Sequence, residues 1–427
     1  MSEPKVKSYL LHGVLFLITL LTTTLAGAEW MTGRFFFIGE QSLKLPEIWQ
    51  GLSFSLPFLG ILTVHEFGHY LTARAYQIKV SLPYYIPLWL GWIPYLYLSS
   101  LGTMGAFIRL KSVPQSRQQY FDIGMAGPLA GFVVARAVLF YGFTHLPTRE
   151  DIFRIHPEYQ AYGVDYDQHV YSYAYMRAQD SLVQAKIHQE NAALAEKSGQ
   201  PYRIPAFEFP QSYPMLALGT NLLMLFFENV VAPDQRLVPN LHEMMHYPFL
   251  LAGFFALFFT ALNLIPIGQL DGGHILYSLI GRRNHRLVSP ALLVGFMAYA
   301  GLGLFKPTDF TGNDGVYLNE LIKLALYALF LYTAFVKMTE SGQQAWMLSL
   351  GIIAAQLLTS WTFPQAEGAR FLLVFLFVLG RFLGVYHPPV LYDEPLDRKR
   401  QVLGWFALIV FILCFTPEPL TFVEVSR

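Results

Sequence analysis

The chain has one cysteine, Cys414, and it lies in an apolar run (VLGWFALIVFILCF), so no intrachain disulfide and no cysteine-based metal cluster can be built. Any transition metal must therefore be held by histidine and carboxylate. Charge is scarce as well. Only 14% of the 427 residues are Asp, Glu, Lys or Arg, and the 29 basic and 29 acidic side chains cancel, so the basic surface that nucleic-acid binding needs is missing and no acidic partner is implied. No low-complexity tract or internal repeat stands out. What the chain does have is apolar bulk: 54% of residues are hydrophobic and the mean hydropathy is +0.39, the balance of a multi-pass protein that has the lipid bilayer as its partner.

Apolar runs long enough to cross ~30 Å of hydrocarbon occur at residues 9–28, 52–76, 123–144, 248–280, 289–305, 318–336, 345–361, 370–386 and 402–416. The expected fold class is an all-α multi-pass membrane protein of about nine transmembrane helices. Lys5 and Lys7 ahead of the first run resemble the start of a signal peptide, but the run continues without a convincing cleavage site and reads as a retained helix. Basic clusters set the orientation. Lys5 and Lys7, then Arg109, Lys111 and Arg117, then Arg282, Arg283 and Arg286, and finally Arg398, Lys399 and Arg400 fall on one side, which places the N-terminus in the cytosol.

Four parts follow from this pattern. Residues 1–144 form an N-terminal membrane part, and 145–214 a polar, Tyr- and Gln-rich insertion on the non-cytosolic side. Residues 215–288 form a second membrane part, and 289–427 the C-terminal transmembrane helices. Within the second of the membrane parts, residues 215–231 are apolar but short and read as a surface or re-entrant helix.

The second span contains TVHEFGHYLTARA, placing His65, Glu66 and His69 in an HExxH pattern. On a helix, positions i and i+4 share a face, so both imidazoles reach one metal while Glu66 stands beside it as a base toward water. The bland reading, two core histidines and a chance match, leaves an unpartnered Glu in an apolar span at a cost of roughly 2.5 to 3.5 kcal/mol. A second HExxH, His242, Glu243 and His246, lies in a polar connector between Pro239 and Pro248, with room for barely two helical turns. It reads as a coincidence or a peripheral site. Catalytic zinc takes three protein ligands and leaves one position to water, so a third must come from elsewhere. Asp271 in TALNLIPIGQLDGGHIL is the candidate, because Pro266, Gly268, Gly272 and Gly273 interrupt a spanning helix there, a break tolerated at membrane depth where it lines a protein cavity. A solvated DGG turn is the competing reading.

HEFGH in one span followed by NLIPIGQLDGG in another resembles the site-2 protease family of intramembrane zinc metalloproteases, and residues 101–131 (LGTMGAFIRLKSVPQSRQQYFDIGMAGPLAG) are similar to its bacterial and plastid branch. The resemblance covers roughly residues 55–140 and 248–280. It implies one catalytic Zn2+ held by His65, His69 and Asp271, with Glu66 as general base. It also implies Asn263 as a donor to substrate or tetrahedral intermediate, where the bland reading is a helix-to-helix hydrogen bond. By the same resemblance a short β-hairpin near residues 97–112, with Gly102 and Gly105, offers an edge to substrate, Pro266 shapes the substrate site, and Ala126, Gly127 and Pro128 shape packing near the metal. The implied activity is that of a metalloendopeptidase acting on a transmembrane protein substrate in a bacterial inner or plastid membrane. Two other readings stay open: a polytopic metal-binding transporter, for which His12, His145, His274 and His285 leave room, and an inactive relative, although no expected residue is missing.

Overall fold

A computed structural model describes residues 3–36, 42–91, 93, 100–199, 201–204, 207–311 and 314–427. Among these, α1 (Glu3–Thr32), α2 (Leu45–Gln50) and α3 (Leu52–Ala75) are followed by β1 (Tyr84–Leu88), β2 (Gly102–Phe107) and α4 (Arg117–Thr144). The insertion holds α5 (Asp167–Val170) and α6 (Tyr173–Ser198), and β3 (Ser212–Leu218) and α7 (Leu222–Phe226) lead out of it. Then come α8 (Pro248–Leu264), α9 (Asp271–Ala300), α10 (Asp314–Phe335), α11 (Gly342–Thr362), α12 (Arg370–Val378), α13 (Arg398–Cys414) and β4 (Leu420–Ser426).

Among the described residues, five helical segments are long and apolar enough to cross a membrane: Ser8–Thr32, Leu45–Ala75, Arg117–Thr144, Tyr317–Phe335 and Gly342–Thr362. Five is fewer than the nine apolar runs, for reasons visible in the backbone. The run 248–280, expected as one span, is two helices: Pro266 has no N–H to continue α8, and Gly268 turns the chain at φ +62°. Gly281 (φ 78°, ψ 168°) then breaks α9 in two beside the Arg282–Arg286 cluster, and α12 has nine residues. Leu17, Leu71, Phe140, Leu326 and Leu358 all point outward, as side chains facing lipid do.

The centre of the molecule is the packing of α3, α4 and α8. Phe54, Phe121, Phe143, Phe254, Leu139 and Leu250 are fully buried there. Close approach of α3 to α4 depends on glycine: a Cβ at Gly68 would sit 2.5 Å from the Ala126 carbonyl oxygen.

The expected hairpin is shifted. β2 pairs antiparallel with β1, Tyr84 opposite Phe107 and Leu88 opposite Gly102, so the hairpin reaches back to residue 84, and residues 97–99 lie outside the described residues. Aromatic, strand-favouring side chains explain the pairing, with the Tyr84 and Phe107 rings stacked 5.3 Å apart. Residues 215–231 also differ from the expected helix. Met215 to Leu218 end β3, which pairs with β4 from Ser212 opposite Ser426 to Leu218 opposite Leu420, and only the part after the Asn221 cap is helical. The strand partner is two hundred residues away, beyond the reach of any local pattern.

One of the contacts that tie residues 145–214 to the rest of the chain is a buried carboxylate. Ile152, Tyr159, Tyr166 and Val170 form a small apolar cluster, and Glu243, 1% exposed, accepts hydrogen bonds from the Tyr166 hydroxyl (2.5 Å) and the Tyr171 hydroxyl. Glu243→Ala leaves two hydroxyls unpaired in a buried site and is expected to lower stability by about 2–4 kcal/mol, read as a lower thermal midpoint and as nicking by protease within residues 145–214. Burial, together with the Glu243 carboxylate, pushes both phenols up. A raised folded-state value means the contribution is complete below about pH 10, where unfolded tyrosine ionises, and is lost as pH rises beyond it. Protease nicking that stays flat across that rise contradicts the latch.

Candidate metal centre

α3 runs as helix through residues 65–69, so His65 and His69 project from one face, four residues apart. Their Nε2 atoms lie 3.0 Å from each other. Asp271 opens α9, and the loop before it folds back so tightly that a Cβ at Gly272 would sit 2.0 Å from the Leu264 carbonyl oxygen. This brings Asp271 Oδ2 to 3.5 Å from His65 Nε2 and 3.3 Å from His69 Nε2. Glu66 Oε1 stands 4.0 Å from His65 Nε2, and His65, Glu66 and His69 are all at most 6% exposed.

The donor set fits a tetrahedral divalent ion. Ligand atoms about 2.0–2.1 Å from zinc in a tetrahedron are separated by roughly 3.4 Å, and the three separations here are 3.0, 3.3 and 3.5 Å. The orientation fits too. His69 Nδ1 donates to the Ile123 carbonyl at 2.7 Å, which leaves the Nε2 lone pair pointing at Asp271 and His65. Among the described residues, His65, His69 and Asp271 are the group of three that could hold a metal. The packing of α4 on the site is equally close. A Cβ at Gly127 would meet His69 Nε2 at 2.1 Å, which gives the AGP run its physical meaning.

Asn263, at the end of α8, brings its Nδ2 to 3.3 Å from His65 Nε2. It shares with Glu66 and Asp271 a cavity of about 260 Å³, closed on one side by Ala106, Phe107 and Ile108. Gly102 and Gly105 are not brought into that cavity. Gly102 (φ +76°) is pressed against α1, where its carbonyl accepts from Thr22 Oγ1 at 2.6 Å, and a Cβ at Gly105 (φ +105°) would meet nothing within 4 Å. Pro266 lies in the α8–α9 turn and shapes the approach of Asp271 without lining the cavity. Sequence reasoning missed the Ile123 carbonyl, which no residue type signals, and the part played by His274, one helical turn after Asp271 and on the cavity wall. Its spacing of three from Asp271 was a readable signal.

The second HExxH lies on a turn and the short 3-10 helix Met244–His246, and among the described residues it is not part of a group that could hold a metal. Glu243 binds the two tyrosines, His242 Nδ1 bonds the Leu216 carbonyl at 2.9 Å, and His246 Nδ1 bonds the Met31 carbonyl at 2.8 Å. Of the other histidines, His12 bonds the Pro83 carbonyl and His145 the Tyr141 carbonyl, whereas His274 and His285 both pack against His387.

The pattern of Peptidase family M50 matches residues 53–302. Among curated proteins, the chain is 25% identical over 252 residues to the probable zinc metalloprotease EGY2, chloroplastic, of Oryza sativa subsp. indica, covering 59% of this chain and 33% of that protein. It is 26% identical over 267 residues to the probable zinc metalloprotease EGY1, chloroplastic, of Arabidopsis thaliana, covering 62% and 35%. A shorter stretch of 103 residues is 34% identical to the EGY1 protein of Oryza sativa subsp. japonica, covering 24% and 16%. The chain thus spans about a third of the length of the curated relatives it matches most broadly. No solved structure matches.

The Gly127 contact yields a direct expectation. Gly127→Ala drives a methyl group into the His69 ring and is expected to strip most of the metal from purified protein, measured by elemental analysis, while the chain still reaches the membrane. Unchanged metal content contradicts the packing.

Proposed function

The chain belongs to peptidase family M50, and from that premise we propose that it is an intramembrane zinc metalloprotease, hydrolysing peptide bonds of membrane-spanning proteins. The observation that carries the reading is the convergence of His65, His69 and Asp271 within 3.5 Å of one another, with Glu66 beside them, where the start of α9 meets the packed pair α3 and α4. A carboxylate set between two imidazole nitrogens in a low-dielectric interior is an arrangement that a bound cation stabilises.

His65, His69 and Asp271 would hold the zinc. Bound there, zinc supplies Lewis acidity, polarising a scissile carbonyl and making nearby water easier to deprotonate. Glu66 takes a proton from the attacking water and passes it to the leaving amine nitrogen. Asn263 Nδ2 donates to the oxygen on which negative charge develops. A spanning substrate helix hides its carbonyls in its own hydrogen bonds, so it must unwind first, and β2, ending in Phe107, with the following Ile108 gives the extended stretch an edge to pair with. Pro266, Gly102 and Gly105 serve this indirectly, holding the turn and the hairpin in place.

In the arrangement we propose, residues 1–144 and 215–288 form the catalytic part, 145–214 a non-cytosolic insertion and 289–427 the C-terminal helices, with the shorter helices adding to the five long ones toward about nine membrane passes. The basic clusters put the N-terminus in the cytosol, in a bacterial inner membrane or a plastid membrane. Glu66→Gln is expected to retain zinc and lose at least about 10²-fold in cleavage of a transmembrane substrate, whereas Asp271→Ala loses the zinc as well. Retained proteolysis in Glu66→Gln would falsify the assignment of the base.

A further inference from the structure

His274 lines the metal cavity, and a chain of hydrogen bonds fixes what it presents there. His387, in the segment between α12 and α13, donates from Nδ1 to the Pro388 carbonyl at 2.7 Å. A carbonyl only accepts, so that proton is on Nδ1 and the neutral ring's Nε2 is an acceptor. His274 Nδ1 lies 2.8 Å from it and must be the donor. The consequence is a lone pair on Nε2 of His274, a residue of the cavity wall.

The His387 ring is held rather than resting. Tyr277 stacks on it at 3.8 Å and 10°, and Tyr120 meets it edge-on at 4.5 Å. Its segment is tied to the Asp271 turn through Ser289, whose hydroxyl donates to the Val385 carbonyl (2.7 Å) and accepts from the Gly268 N–H (3.0 Å). Burial, helped by the adjacent imidazoles, pushes His387 down to about 3, so the ring is neutral. His387 lies outside the residues that match the family.

An extended peptide laid along an edge strand turns half of its N–H groups toward that strand and half away. In a cavity that excludes water the second half need acceptors of their own. We propose that His274 accepts one of these substrate N–H groups through Nε2, and that His387 is a positioning residue that sets the tautomer. This rests on reading the cavity as a peptide cleft.

The test uses full-length, zinc-loaded protein carrying Glu66→Gln, so that peptide binds without being cut. The probe is a labelled apolar peptide of about twenty residues with a central Gly-Pro, together with its single backbone N-methyl derivatives. One N-methyl position should weaken binding by about fivefold to tenfold. Adding His274→Phe should weaken the parent peptide by a similar factor and remove the sensitivity at that position alone. His387→Phe should behave alike, while His387→Gln, whose amide oxygen still accepts from His274, restores affinity, with zinc content equal throughout. Should His274→Phe fail to accumulate in the membrane, the contrast between the two His387 variants decides. N-methyl effects that are the same in every variant, or zinc loss on changing His274 or His387, overturn the assignment. A protein with intact Glu66 that neither cuts nor binds the peptide removes the protease reading and this inference with it. Cutting by that protein with additive N-methyl effects removes this inference alone.

Discussion

Everything near the middle of this molecule answers to one electrostatic demand, that two imidazole lone pairs and a carboxylate meet within hydrogen-bond distance inside an apolar bundle. The demand explains residues that carry no chemistry. Gly68 and Gly127 let α3 and α4 approach until backbone touches imidazole, and Gly272 lets the turn before α9 fold onto the end of α8. Adding a methyl group at any of these puts atoms less than 3 Å apart, so the glycines set the meeting of His65, His69 and Asp271 as much as those side chains do.

The paired histidines and Glu66 were readable because a helix converts a spacing of four into a shared face, and the cost of a buried Glu adds weight that is independent of any relative. Asp271 was readable only as a candidate. Nothing in DGG by itself distinguishes a solvated turn from a helix start aimed at two histidines two hundred residues earlier, and the family resemblance had to supply the choice. The broad class, helical and membrane-crossing, follows from hydropathy alone. The number of full-length spans does not, because an apolar run says nothing of the turns at Pro266 and Gly281 that divide it. Long-range pairings were invisible for the same reason: β1 with β2 skips over the loop between them, and β3 with β4 spans half the chain.

The C-terminal region is bound into the site more tightly than its distance from the motifs would indicate. Arg400 makes a two-point contact with Asp122 (2.8 and 2.9 Å), one residue before the carbonyl that orients His69. Arg117 donates to the Ser278 carbonyl on α9 and pairs with Asp393, and the amides of Leu391 and Tyr392 both bond the Gln115 carbonyl. Together with His387 these contacts wrap the segment after α12 around the ends of α4 and α9. Partly buried pairs of this kind stabilise through geometry more than through charge, and here the geometry they hold is that of the ligand helices.

The strand pairing of Ser212–Leu218 with Leu420–Ser426 has a consequence for the order in which the molecule is made. A ribosome delivers the first strand about two hundred residues before its partner, and during that interval its amide edge is open on the side of the membrane where the insertion lies. The ladder closes only after α8 to α13 have been made, so it acts as a late clasp over the helices between its strands, and its loop-closure entropy is reduced to the extent that those helices are already ordered. An assembly missing its last strand would keep its metal ligands and still display a bare β-edge, the kind of surface that other chains add to.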